Sequence, residues 1–225
     1  MTQDNSNYWA ESIQVLEWLE PVRKRPWMYI WSTDERWLHH LVWEIVDNSI
    51  DEAMAWHCNE ITVVLWTDGS CSVTDNGRWI PTAVHPKTWK SSLETILTVL
   101  HAWGKFGWGG YKVSGWLHWV WSSVVNALST RLEAVVHREW QIFFQAFERW
   151  ITVADIEVIW KSKKTWTTIK FWPDAEIFKQ TTVFSYKTIL NRLRQQAYLT
   201  KWITLYLIDE RSNERYKFYF EWWIK

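Results

Sequence analysis

The sequence predicts an α+β protein, a two-layer sandwich of helices on one face of a mostly antiparallel sheet. Three observations predict it. A long amphipathic helical pattern lies early, with Leu38, Leu41, Val42, Ile45, Val46, Ile50 and Ala53 forming its apolar stripe. Short β-rich runs such as EITVVLW, RLEAVVH, QIFFQAFE and RYKFYF crowd the second half. Helical and strand patterns are segregated along the chain rather than alternating regularly, which argues against a parallel βαβ sheet.

In order, ESIQVLEWLEPV reads as a first helix through Ile13, Leu16 and Leu19, with Pro21 ending it and the basic turn RKRP following. The long helix runs from Thr33 or Asp34, both good N-caps, to about Ala55. EITVVLW and SCSVTD are two strands joined by TDGS, whose Asp-Gly pair signals a hairpin. SSLETILTVLH is helical. The segment from Ala102 to His118 holds five of the seven glycines and reads as a long loop of the kind that carries function. After it come the helix SSVVNAL and the strands RLEAVVH, QIFFQAFE, ITVADIEVI and TTIKFW, then the polar helix SYKTILNRLRQQAYL and the strands ITLYLID and RYKFYF. No linker, repeat or low-complexity tract divides the 225 residues, so one domain is expected.

Twenty-five basic and twenty-five acidic side chains cancel, which removes the electrostatic case for nucleic acid or anionic membrane as a direct partner. Cys58 and Cys71 match no zinc or redox spacing and are expected as free thiols in a reducing compartment. The polar start MTQDNSNYWAES has no signal-peptide order, and no apolar run reaches spanning length, so a soluble cytoplasmic protein without a membrane partner is expected. The abnormal feature is twenty-three tryptophans against seven glycines. Many of these tryptophans stand at turn-like places, where aromatic periodicity does not account for them.

Three groups of residues carry chemistry. His40, Glu44, Asn48 and Asp51 share one stripe of the long helix, opposite the apolar one. A carboxylate at Glu44 can polarise water, His40 can orient it, and the Asn48 carbonyl can ligate magnesium, although a solvated helix face has the same pattern. DNGR follows a strand directly, so Asp75 can present a carboxylate to an exocyclic amine while Gly77 brings backbone close to a ring; an ordinary Asn-Gly turn is the plain alternative. GKFGWGGYKVSGWLH places Lys105 and Lys112 in a glycine-containing loop ahead of a helix N-terminus, an arrangement suited to phosphate or to a mobile surface loop.

Taken together and in order, WEIVDNSIDEA, TDNGRWIP, TVLHAWGKFG, YKVSGWLHWVWSSVVNAL and TWTTIKFWP resemble the N-terminal ATPase domain of bacterial type II topoisomerase B subunits of the gyrase kind, in the gyrase, HSP90, histidine kinase and MutL superfamily. RKRPWMYI and FEWWIK extend the resemblance over nearly the whole chain. It implies the Bergerat-type ATP-binding fold, a single ATP-binding domain over residues 1–225 with an N-terminal arm at 1–12 and an ATP lid at 102–119, and a following transducer domain absent from the chain.

The resemblance also implies ATP and Mg2+ as ligands. Glu44 then matches the general base, His40 its neighbour, and Asn48 the magnesium ligand. Asp75 matches the carboxylate for the adenine amine, with Thr167 beside it through a water; Gly77, Arg78 and Pro81 line the adenine side, where Arg138 also lies in a region used by ATP-competitive inhibitors. Lys105, Lys112, Leu117, His118 and Val120 match the lid and helix start around the phosphates, and Tyr8 the arm that joins a homodimer. DNA and the gyrase A subunit would be partners through domains outside this chain. A topoisomerase IV B subunit fits the same motifs.

The departures are at glycine. Trp27, Trp31, Trp79, Trp103, Trp116, Trp119, Trp121, Trp166, Trp222 and Trp223 stand where the family pattern has glycine, whereas Trp172 matches a family tryptophan and Trp43 and Trp66 do not demand glycine. The pattern implies an altered form of a parent whose glycines became tryptophan. It also supplies a reading in which the lid no longer admits ATP. A non-enzymatic module that stacks exposed indoles on a ligand is the remaining alternative, and it leaves the ordered motifs without a reason.

Overall fold

A computed structural model describes residues 19–78, 80–86, 88–100 and 121–221. Helices α1 (Glu20–Lys24), α2 (Trp27–Ile30), α3 (Glu35–Met54), α4 (Ser92–Thr98), α5 (Trp121–Ala127) and α6 (Tyr186–Leu199) accompany strands β1 (Glu60–Leu65), β2 (Cys71–Asp75), β3 (Ser129–Arg138), β4 (Gln141–Glu148), β5 (Ile151–Thr152), β6 (Glu157–Lys161), β7 (Trp166–Pro173), β8 (Thr204–Asp209) and β9 (Glu214–Tyr219). Among the described residues these strands form one sheet in the order β5-β4-β3-β7-β2-β1-β8-β9, with β6 pairing β4. The pairings are antiparallel except that of β1 with β8. The α+β sandwich expected from the sequence is the architecture found.

α3 is the spine of the helical layer. The Asp34 carboxylate accepts from Trp37 N at 3.1 Å and caps it, and Leu38, Leu41, Val42, Ile45, Val46 and Ile50 are buried against the sheet as the stripe predicts. Inward residues of the central strands, among them Ile61, Val63, Val73, Leu132, Ala134, Ile169 and Phe171, complete the core. α6 is laced to α3 at two points. His39 Nε2 accepts from Ser185 N at 2.8 Å while its Nδ1 meets Glu35 O at 2.7 Å, and Gln196 donates to Asp47 at 2.6 Å. Both cysteines are free and buried, and burial raises both thiol pKa values, that of Cys58 to about 12.

Three features differ from the expectation. Pro21 lies inside α1, in the first turn, where its missing N–H costs nothing, so it does not end a helix and Arg23 and Lys24 form the last turn instead of a basic turn. The short α2, begun at Pro26, was not expected. ITVADIEVI is two strands, β5 and β6, interrupted around Asp155. The expected helix over ESIQVLEW, together with Tyr8 and the arm at 1–12, lies outside the described residues.

The tryptophan pattern has a backbone counterpart. Nine non-glycine residues have positive φ, and six of them are Trp31, Trp56, Trp89, Trp140, Trp150 and Trp202. Trp56 follows the α3 C-cap, where Trp56 N donates to Ala53 O and His57 N to Glu52 O, each at 2.9 Å. That is the Schellman pattern, whose left-handed position is normally glycine. Glu139-Trp140 and Arg149-Trp150 are two-residue hairpin connections with positive φ at both residues, the geometry in which Asn-Gly or Asp-Gly is preferred.

Candidate active site

The site is built along the C-terminal half of α3 and the end of β2. Successive turns of α3 project Glu44, Asn48 and Glu52 from one side of the helix, since residues four apart are neighbours on its surface. Asn48 Nδ2 donates to Ser122 Oγ at 2.8 Å, which turns its amide so that Oδ1 is buried with no hydrogen-bond partner among the described residues. An amide oxygen fixed in this way is a hard donor suited to a cation such as magnesium. The residues present therefore fit the ion that the sequence resemblance implies.

β2 delivers Asp75 to the neighbouring turn of α3. Its Oδ1 accepts from Gly77 N at 2.8 Å and its Oδ2 from Ser49 Oγ at 2.9 Å. Burial is the main influence on this carboxyl and raises its pKa from 3.8 to about 6, with the Gly77 and Ser49 hydrogen bonds acting against the rise and nearby Glu52 adding to it. Thr167 is the β7 cross-strand partner of Asp75, so the two side chains share a face; Thr167 Oγ1 is also buried without a hydrogen-bond partner among the described residues. A buried acceptor beside a buried hydroxyl with unused hydrogen-bonding capacity suits the amine edge of a heterocycle.

Gly77 is required for a local reason other than positive φ. A Cβ there would lie 2.9 Å from Asp75 Oδ1 and 3.1 Å from Glu52 Cβ, so any side chain would displace the carboxylate or the helix beside it. Glu52 was absent from the sequence reading, although it stands four residues beyond Asn48. It holds Arg78 by a bidentate pair, Nε to Oε2 at 2.9 Å and Nη2 to Oε1 at 3.0 Å, and accepts from Arg78 N at 3.1 Å. Ser49, which orients Asp75, was likewise missed because a lone serine on a helix gives no sequence signal.

One helical turn or more toward the α3 N-terminus, His40 and Glu44 border a cleft of about 760 Å³ that is also lined by Asp34, Arg36, Trp43, Asp47 and Arg192. His40 stacks on Trp37 with ring centroids 4.2 Å apart. Burial first, then Arg36 and Arg192, hold its pKa below the usual 6.5, so the imidazole is neutral at pH 7. Its neighbour His39 is committed to the α6 contact, which separates the two adjacent histidines by role.

The structure thus brings Asn48, Asp75, Gly77, Arg78 and Thr167 together and places His40 and Glu44 farther along the same helix. Arg138 stands at the end of β3 and pairs with Glu139 at 2.8 Å. Pro81 follows Ile80, which packs against the core, a few residues beyond Arg78. Lys105, Lys112, Leu117, His118 and Val120 lie outside the described residues.

Comparison with known proteins agrees with this geometry. The chain is 57% identical over 215 residues to the B subunit of DNA gyrase from Halalkalibacterium halodurans, covering 96% of this chain and 34% of that protein. It is 56% identical over 211 residues to the B subunit of DNA gyrase from Staphylococcus aureus, covering 94% and 33%. It spans about a third of the length of these curated relatives. Residues 33–177 match the model of the histidine kinase-, DNA gyrase B-, and HSP90-like ATPase family, and that stretch contains every site residue described above except the lining supplied by α6, so the chain belongs to this family.

Proposed function

We propose that this chain binds ATP with Mg2+ and hydrolyses it, as the nucleotide-driven part of a type II DNA topoisomerase B subunit of the gyrase kind. The observation that carries the reading is the convergence of two buried, unused polar atoms, Asn48 Oδ1 and Thr167 Oγ1, with the buried Asp75 carboxylate. Asp75 accepts a hydrogen bond from the adenine amine, and Gly77 lets the ring approach the backbone. Arg78, fixed by Glu52, walls the adenine side.

From Asn48 to Glu44 and His40 the helix advances about 12 Å, so a nucleotide lying along α3 carries its phosphates toward the two catalytic candidates. Glu44 accepts a proton from the water that attacks the terminal phosphorus as the bond to the bridging oxygen breaks, releasing ADP and phosphate. Neutral His40 orients that carboxylate or the water. A magnesium ion at Asn48, when bound, neutralises charge on the phosphates. Lys105, Lys112, Leu117, His118 and Val120 would close over them.

The relatives' name supports a place in DNA strand passage, with DNA and the gyrase A subunit met through domains outside this chain, a homodimer formed by the arm around Tyr8, ATP-competitive inhibitors at Arg78, Pro81 and Arg138, and a cytoplasmic setting. No helix among the described residues is long and apolar enough to cross a membrane.

The test is calorimetric titration with a non-hydrolysable ATP analogue and magnesium. Saturable binding is expected, falling more than tenfold in Asp75→Asn, whose amide presents a donor to a donor. Glu44→Ala is expected to keep binding and lose turnover. Binding indifferent to Asp75→Asn would overturn the assignment of the adenine site.

A further inference from the structure

We propose that the free edge of β6 is a self-association surface, which pairs antiparallel with β6 of a second copy of this chain about a two-fold axis through Ile159. β6 has β4 on one side only, and all five of its residues, EVIWK, are exposed. Val158, Ile159 and Trp160 show 51%, 46% and 73% of their surfaces to solvent. A flat apolar edge of this kind is a template for another strand, because its backbone groups have no neighbour to bond.

The strand's own pattern selects the occupant. Antiparallel pairing about Ile159 sets Glu157 opposite Lys161 at both ends, Val158 opposite Trp160 twice, and Ile159 opposite itself. Opposite charges therefore meet at each end and apolar side chains meet between them, the cross-strand combinations that stabilise a sheet. Neither Glu157 nor Lys161 makes an ion pair among the described residues, so both are available to the second copy. The interface is isologous, as a two-fold dimer requires.

The other edge strand has no such pattern. Two copies of β9 paired about their centre would set Glu214 opposite Tyr219, Arg215 opposite Phe218 and Tyr216 opposite Lys217, leaving every charge without its complement. A bulge at Ile159 increases twist on β6, and both strands of a two-fold pair carry that twist equally. With only five residues from each copy, the interface falls below standard size and the dimer is weak and concentration-dependent.

Sedimentation equilibrium without nucleotide tests the proposal over micromolar to high-micromolar protein. The wild-type chain is expected to show a monomer–dimer equilibrium. Glu157→Lys, which sets lysine against lysine at both ends, weakens it about tenfold, and Lys161→Glu matches it. The double exchange Glu157→Lys with Lys161→Glu restores the pairing and the wild-type constant. A chain monomeric throughout the range, a dimer indifferent to either single change, or a double exchange that fails to recover association would each overturn the proposal.

Discussion

Replacing Trp31, Trp56 and Trp89 together by glycine should stabilise the protein. Their φ values are 55°, 63° and 57°, and their exposures are 82%, 81% and 84%, so each indole contributes little burial while its Cβ bears the steric cost of a positive φ. Holding an L-residue in that region costs about 1–2 kcal/mol, and glycine returns part of the gain through the greater freedom of the unfolded chain. A net gain of about 1 kcal/mol per site gives about 3 kcal/mol for the triple variant, or a rise in Tm of about 6–12 °C for a chain of this size. Trp150 is the control. Its φ is 70°, but it packs against the core and lies beneath the Arg23 guanidinium, 5.6 Å from the ring centroid. Trp150→Gly relieves the same strain and forfeits that packing, so its Tm should be unchanged or lower. Differential scanning calorimetry of the triple variant and of Trp150→Gly decides the matter. A triple variant no more stable than the parent, or a Trp150→Gly gain exceeding that at an exposed site, would refute the strain argument.

Two further outcomes follow from Asp75 and Gly77. The Asp75 pKa is raised to about 6 in the folded chain from 3.8, so its ionisation costs about 3 kcal/mol of stability, which is fully present below pH 3.8 and lost as pH rises to about 6. Nucleotide affinity should run the opposite way, increasing as pH rises through 6 because the ionised carboxylate is the better acceptor; calorimetry in buffers of different ionisation enthalpy would register the released proton, and a flat profile would contradict this role. Gly77→Ala should lower nucleotide affinity at least tenfold with little change in Tm, since its Cβ would meet the Asp75 carboxylate at 2.9 Å, the flexible group most able to move; unchanged binding would show that the pocket yields elsewhere.

Much of the fold was readable where one residue carries one local signal. Asp34 capped the helix that its position predicted, and the TDGS hairpin turns at Gly69 with φ 80°. The turns at Glu139-Trp140 and Arg149-Trp150 were unreadable as such, because tryptophan occupies the position whose glycine would have announced them. Pro21 was misread because the first turn of a helix and the end of one both accept proline. In the site, the Glu44–Asn48 spacing was visible, and one more step of four along α3 would have reached Glu52. The meeting of Asp75 with Thr167 was not visible locally. It depends on β7 joining β2 across a long separation in sequence, a pairing that only the family resemblance could supply in advance.

The two cysteines give the molecule a reporter of its own opening. Cys58 sits just beyond α3, where burial pushes the thiol up to about 12, and Cys71 begins β2, flanked by β1 and β7 in the interior of the sheet. Only a thiolate reaches a labelling reagent at a useful rate, so neither reacts while the protein is closed. Modification of Cys58 then times local release of the segment between α3 and β1, whereas modification of Cys71 times separation of the central strands. Two clocks, set at different depths, are read from one labelling experiment on the unaltered chain.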